Sequence, residues 1–117
     1  GPHPWLAEFD KVRLPYNINV LTQASADFAL KHRAVLDKQT AELVENRGAL
    51  MQALKNLDGV TPYPSDANFI LFKTHPGKAD LVFEGLKERK VLIKNLNKAG
   101  GALKDCLRVT VSSQQEN

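Results

Sequence analysis

The sequence predicts an α/β (α+β) two-layer sandwich in which a small mixed sheet packs against helices. Three observations lead there. Stretches with helical apolar spacing fill the first half, short apolar runs bounded by Pro, Gly and Asn fill the second, and one amphipathic stretch interrupts those runs. With 117 residues, of which 43% are hydrophobic and 25% charged, the chain is long enough for one cored domain, residues 1–117, and too apolar to be disordered.

Residues 1–21 contain Pro2, Pro4 and Pro15, which are expected to break any regular element, and "RLPYNIN" reads as an extended segment or loop. A helix is predicted from Thr22 through "TQASADFALKH", with Ala24, Phe28 and Leu30 or Lys31 defining a short apolar face. A longer helix is predicted from Ala34 to Leu57, where Leu36, Leu43, Leu50, Leu54 and Leu57 share one face. Asp58-Gly59 ends it, glycine being free to take a left-handed conformation. Prolines confine Val60 to Pro64 to an edge strand or loop. Asn68 to Thr74 is predicted as a strand covered on both sides, because Phe69, Ile70, Leu71 and Phe72 run continuously apolar. A helix is expected from Lys78 to Arg89, with Ala79, Val82, Phe83 and Leu86 buried. Val91 to Lys94 is expected as a short strand, "NLNKAGGALKD" as a loop, and Leu107 to Ser112 as the last strand. Ser113 with Glu116 three positions later has the form of a capping box, so a further helix is expected to begin there.

Several function classes are disfavoured. No apolar run approaches the length of a membrane span, and the first residues lack the form of a signal peptide, so no membrane partner is expected. Cys106 is the single cysteine and cannot form an internal disulfide, which fits the cytoplasm. Next to an apolar strand it reads as a core thiol. His3, His32 and His75 have no ligands at metal-binding spacing, so no metal is expected. No nucleophile elbow, Walker loop or dinucleotide fingerprint is present, and Gly100-Gly101 reads as a turn.

The charge is unevenly placed. Residues 73–108 hold nine Lys/Arg against four Asp/Glu, whereas residues 1–72 hold seven against eight. Such a bias favours a phosphorylated or carboxylated small molecule. Nucleic acid is not expected, because few aromatics interleave with the bases. Two of the cations stand on strands. Arg108 interrupts the apolar alternation of "LRVTV" and would share a face with Thr110 and Ser112, where a guanidinium could grip a carboxylate through two parallel hydrogen bonds. Lys94 closes "VLIK" and could add a second cationic contact. For both, an ordinary solvent-facing position is the competing reading.

Taken together, "FDKVRLPYNINVLTQ", "PYPSDANFILFK", "VFEGLKERKVLIKNL" and "DCLRVTV" resemble the C-terminal part of histidinol-phosphate aminotransferase, a pyridoxal-phosphate enzyme of the aspartate-aminotransferase fold type. The resemblance covers nearly the whole chain. It implies that Arg108 clasps the α-carboxylate of the amino-acid substrate and that Lys94 lies near the substrate phosphate. Tyr16, Asn17 and Asn68 fall in motifs typical of the family and are expected to be structural or close to the ligand. Ser112 stands where the family usually has glycine, which puts the local backbone there in doubt. The resemblance further implies a substrate-gripping domain of a larger homodimeric, cytoplasmic transferase of histidine biosynthesis. Its large domain would carry the Schiff-base lysine and the pyridoxal phosphate, so no catalytic residue and no covalently bound cofactor are expected in this chain, which would be inactive alone. The alternatives are a related aromatic aminotransferase, a threonine-phosphate decarboxylase, or a free-standing binding module without catalysis.

Overall fold

The computed structural model describes residues 2–12 and 18–116. The chain forms two compact units, Gly1–Leu36 and Asp37–Asn117, with the boundary inside a helix.

In the first unit, α1 spans His3–Val12 and α2 spans Val20–Lys31. The presence of α1 corrects the expectation that Pro2 and Pro4 exclude regular structure. Pro4 falls in the first helical turn, where no amide is needed for the helix ladder, and the Pro2 carbonyl accepts from the amides of Trp5 at 3.0 Å and Leu6 at 3.4 Å. Trp5, Leu6, Phe9 and Val12 recur at helical spacing and are exposed. Helix α2 begins two residues before the expected Thr22 because Asn19 caps it, its side-chain oxygen accepting from the Thr22 amide at 2.9 Å. Pro15 lies outside the described residues.

Helix α3, Arg33–Lys55, is the long helix that was expected. Leu43, Leu50 and Leu54 from its apolar stripe meet the core, but Leu36 and Leu57 are exposed. Leu57 lies beyond the last helical residue, in a turn that ends at Gly59 with a φ of +73°. A Cβ on Gly59 would come within 2.0 Å of the His75 ring, so glycine is required there for space as well as for conformation.

The second unit builds a four-stranded sheet in the order β1-β2-β4-β3, from Thr61–Pro62, Phe69–Lys73, Cys106–Thr110 and Lys94–Asn95 respectively. Every adjacent pair is antiparallel, which corrects the expected mixed sheet. The cause is the route of the chain. Strands β2 and β3, joined through helix α4 (Ala79–Glu88), run parallel to each other, and β4 returns between them. Proline-bearing β1 occupies an edge, as its lost ladder donor requires.

Helices α3 and α4 cover one sheet face. Ile70, Phe72, Leu107 and Val111 are buried there together with Leu54 and Ala79, and Val82, Phe83, Ile93 and Val109 pack around them. Strand β2 therefore alternates, with Ile70 and Phe72 buried and Phe69 and Leu71 half-buried, instead of being covered on both sides. Strand β3 also differs from the expected Val91–Lys94. Lys90 takes a φ of +66° and the Val91 amide bonds to the Leu86 carbonyl at 2.9 Å, so the three residues after α4 complete its end and pairing begins only at Lys94. The expected loop 95–105 contains two 3-10 turns, Asn97–Ala99 and Gly101–Leu103.

Asp105 joins these parts. It is buried, has a φ of +62°, and its carboxylate accepts from the Gly77 amide at 2.8 Å. Its carbonyl accepts from the Thr74 amide at 2.9 Å, and its amide donates to the Asn97 side chain at 2.9 Å. Cys106, next to it, is fully buried. At the other end of β4, Ser113 does not form the reciprocal capping box. The hydroxyls of Ser112 and Ser113 both donate to the Glu116 carboxylate, and the Glu116 amide closes one turn onto the Ser113 carbonyl at 3.1 Å. Among the described residues, no helix is long and apolar enough to cross a membrane.

Candidate anion-binding site

The face of the sheet away from α3 and α4 carries the cations. Alternation along β4 sends Leu107 and Val109 to the core and Arg108 and Thr110 to the other side. Arg108 is opposite Leu71 of β2 and opposite Lys94 of β3. Two residues directly opposite in an antiparallel pair project to the same face with Cβ atoms about 5 Å apart. The register thus brings together the two cations picked out in the sequence, which lie on different strands separated by two turns.

Like charges placed directly opposite each other repel. Neither Arg108 nor Lys94 forms an ion pair among the described residues. Arg108 is half-buried, with its guanidinium carbon 4.8 Å from the centroid of the Phe69 ring. Lys94 is exposed and contributes to a cavity of about 580 Å³ at the β3 edge, whose other charged lining residues are Lys98, Asp80 and Glu84. A pair of unneutralised cations on a sheet face is suited to a ligand group carrying two negative charges, or to a carboxylate gripped by the guanidinium alone.

The position of Lys94 is set by side chains that sequence reasoning did not single out. The Asp80 carboxylate on α4 accepts from the amide groups of Asn95 at 2.7 Å and Asn97 at 3.1 Å. Asn95 in turn accepts from the Asn97 backbone amide at 2.9 Å, which fixes the exit of β3. The Asn-x-Asn pattern is a local signal for such a turn, but its carboxylate partner lies 15 and 17 residues earlier. Helix α3 holds the end of the β2–β4 pair at which β2 begins and β4 finishes. Asn46 donates to the Ser112 carbonyl at 3.0 Å, and Arg47 donates to the Ala67 carbonyl at 3.0 Å beside Asp66. The backbone around Ser112, where a departure from the usual glycine was noted, is therefore held by a defined contact.

Asn68 is exposed, and its carbonyl extends the ladder by accepting from the Val111 amide at 2.8 Å. Tyr16 and Asn17 lie outside the described residues. Ser112 is half-buried just past the end of β4. Among the described residues, no group of three or more His, Cys, Asp or Glu side chains could hold a metal ion.

This architecture defines a class. The fold is shared by a decarboxylase from Sulfurospirillum multivorans, with a TM-score of 0.67 at 21% identity over 97% of this chain and 33% of that one. It is also shared by the L-threonine-O-3-phosphate decarboxylase from Porphyromonas gingivalis, with a TM-score of 0.64 at 24% identity over 98% of this chain and 36% of that one. No family model matches the chain. Sequence relatives are more specific. Histidinol-phosphate aminotransferase 2 from Nitrosococcus oceani is 55% identical over 100% of this chain and 32% of its own length. Histidinol-phosphate aminotransferase 1 from Ralstonia nicotianae is 53% identical over 98% of this chain and 30% of its own length. The chain is homologous along its whole length to histidinol-phosphate aminotransferases, and it spans about a third of the length of these relatives.

Proposed function

We propose that the chain is the substrate-gripping part of a pyridoxal-phosphate-dependent histidinol-phosphate aminotransferase, in which Arg108 and Lys94 hold the anionic end of the substrate. The observation that carries this reading is the register Lys94↔Arg108, which sets two cations side by side with no carboxylate partner among the described residues. The substrates of such an enzyme match that pair chemically. L-histidinol phosphate bears a phosphate and no carboxylate, so its dianion takes both cations. In the return half-reaction the α-carboxylate of 2-oxoglutarate takes the guanidinium, which presents two parallel donors to either group.

The cofactor of this enzyme would supply the electron sink for transfer of the amino group. No lysine among the described residues is buried, and the resemblance assigns the Schiff-base lysine to the large domain. The cofactor would be held by the rest of the enzyme. The role of this part is to bind and orient the anion and, on closing over it, to exclude water.

Arg108→Ala in the full-length enzyme tests the reading. Removing a charge-assisted contact is expected to lower kcat/KM for both substrates by about ten- to a hundredfold or more, equivalent to about 1.5–3 kcal/mol. A loss below about tenfold would argue against it.

A further inference from the structure

We infer that Phe69 is a positioning residue for Arg108: its ring holds the guanidinium in place for the substrate anion while leaving the charge and the in-plane donors unspent. The inference rests on the reading of Arg108 as the anion-binding group. The geometry supports it in three ways. Phe69 is opposite Thr110, so its ring lies diagonally beside Arg108 on the same sheet face, and the guanidinium carbon sits over that ring at 4.8 Å. The backbone that carries the ring is itself anchored, because the Phe69 carbonyl accepts from the Ser65 hydroxyl at 2.6 Å and the Ala67 carbonyl, two residues earlier, is held by Arg47 at 3.0 Å. Finally, Arg108 has no carboxylate to orient it among the described residues.

The chemistry explains why a ring serves here better than an acid. A carboxylate would occupy two of the five guanidinium N–H donors and neutralise the charge that the ligand needs. A phenyl ring attracts the cation through its face and leaves every in-plane donor available. It also restricts a long side chain whose rotamer freedom would otherwise be lost on ligand binding.

The test compares three replacements in the full-length enzyme. Phe69→Leu removes the ring, Phe69→Tyr keeps it, and pentafluorophenylalanine at position 69 keeps the shape while reversing the ring's quadrupole. Loss of the attraction is expected to raise KM for L-histidinol phosphate roughly three- to twentyfold, the range of a single cation–π contact, with kcat changed less than KM. Phe69→Tyr is expected to match the wild type. In the 117-residue chain, the Arg108 δ-methylene protons are expected upfield through the ring current in the wild type and in Phe69→Tyr, and shifted downfield in Phe69→Leu. An unchanged KM with pentafluorophenylalanine, or equal impairment by Phe69→Tyr and Phe69→Leu, would overturn the inference. Arg108→Ala separates the two levels. If it is impaired while the fluorinated enzyme is not, only the role of Phe69 fails; if it is not impaired, the reading of Arg108 fails.

Discussion

Replacing Lys94 by Met should stabilise the chain while weakening its grip on phosphate. Lys94 is directly opposite Arg108, and neither has an acidic partner among the described residues. For an assumed separation of about 6 Å, Coulomb repulsion would be ~0.7 kcal/mol in water and ~3 kcal/mol at an effective dielectric constant of 20. Because Lys94 is exposed, the water value is the better guide, and counter-ions reduce it further over a Debye length of about 8 Å. Methionine retains most of the apolar stem, so packing changes little. The expected gain is therefore about 0.5 kcal/mol, or a rise in melting temperature of roughly 2–4 °C in low salt that shrinks when salt is added. If Lys94 holds the phosphate as proposed, the same change in the full-length enzyme is expected to raise KM for L-histidinol phosphate tenfold or more, equivalent to about 1.5–3 kcal/mol. Thermal unfolding of the 117-residue chain at two salt concentrations, with steady-state kinetics of the enzyme, measures both. A lower melting temperature for Lys94→Met, or a rise that salt does not alter, would refute the claim that the pair is repulsive. An unchanged KM would refute its use for phosphate.

Three further predictions concern the frame of the site. Gly59→Ala places a methyl group against the His75 ring at a φ of +73° and should cost roughly 1–3 kcal/mol in urea unfolding; a variant within a few tenths of wild type would contradict the close approach. Asp105→Ala removes the acceptor for the Gly77 amide and forces alanine to a φ of +62°, for a loss of about 2–4 kcal/mol. Asp105→Asn retains both an acceptor and tolerance of that conformation, so it should cost less than the alanine variant, and the reverse order would count against the role given to the Asp105–Gly77 bond. The hydroxyls of Ser112 and then Ser113, with the Ser113 backbone, hold the Glu116 carboxyl below the usual carboxylate value. Its contribution to folding is present above the ordinary pKa and is lost as pH falls through the lowered folded value. NMR titration should show that depression, and Ser112→Ala should reduce it; a Glu116 that titrates normally in both would dispose of the contact.

Much of the second unit was legible in the sequence because its signals are local. The leucine spacing of α3, the amphipathic stripe of α4 and the apolar run at Phe69–Phe72 each state a period within a few turns of chain. The prolines before Trp5 misled because their meaning depends on position in a helix, and a proline in the first turn breaks nothing. The start of β3 was illegible for another reason. "VLIK" has the composition of a strand, but Val91 is tied back to the end of α4 and pairing begins only at Lys94.

At the site, the residue types and their local pattern already marked Arg108 and Lys94: a guanidinium amid apolar alternation, and an ammonium at a strand end. Through resemblance the sequence also pointed to the family, histidinol-phosphate aminotransferase. Only the tertiary structure decided that β4 slips between β2 and β3, so that the two cations become direct neighbours, with Phe69 under one and Asp80 holding the strand of the other. The physical reason is that composition and period act along the chain, whereas register is settled by ladder bonds and side-chain contacts between residues far apart in it.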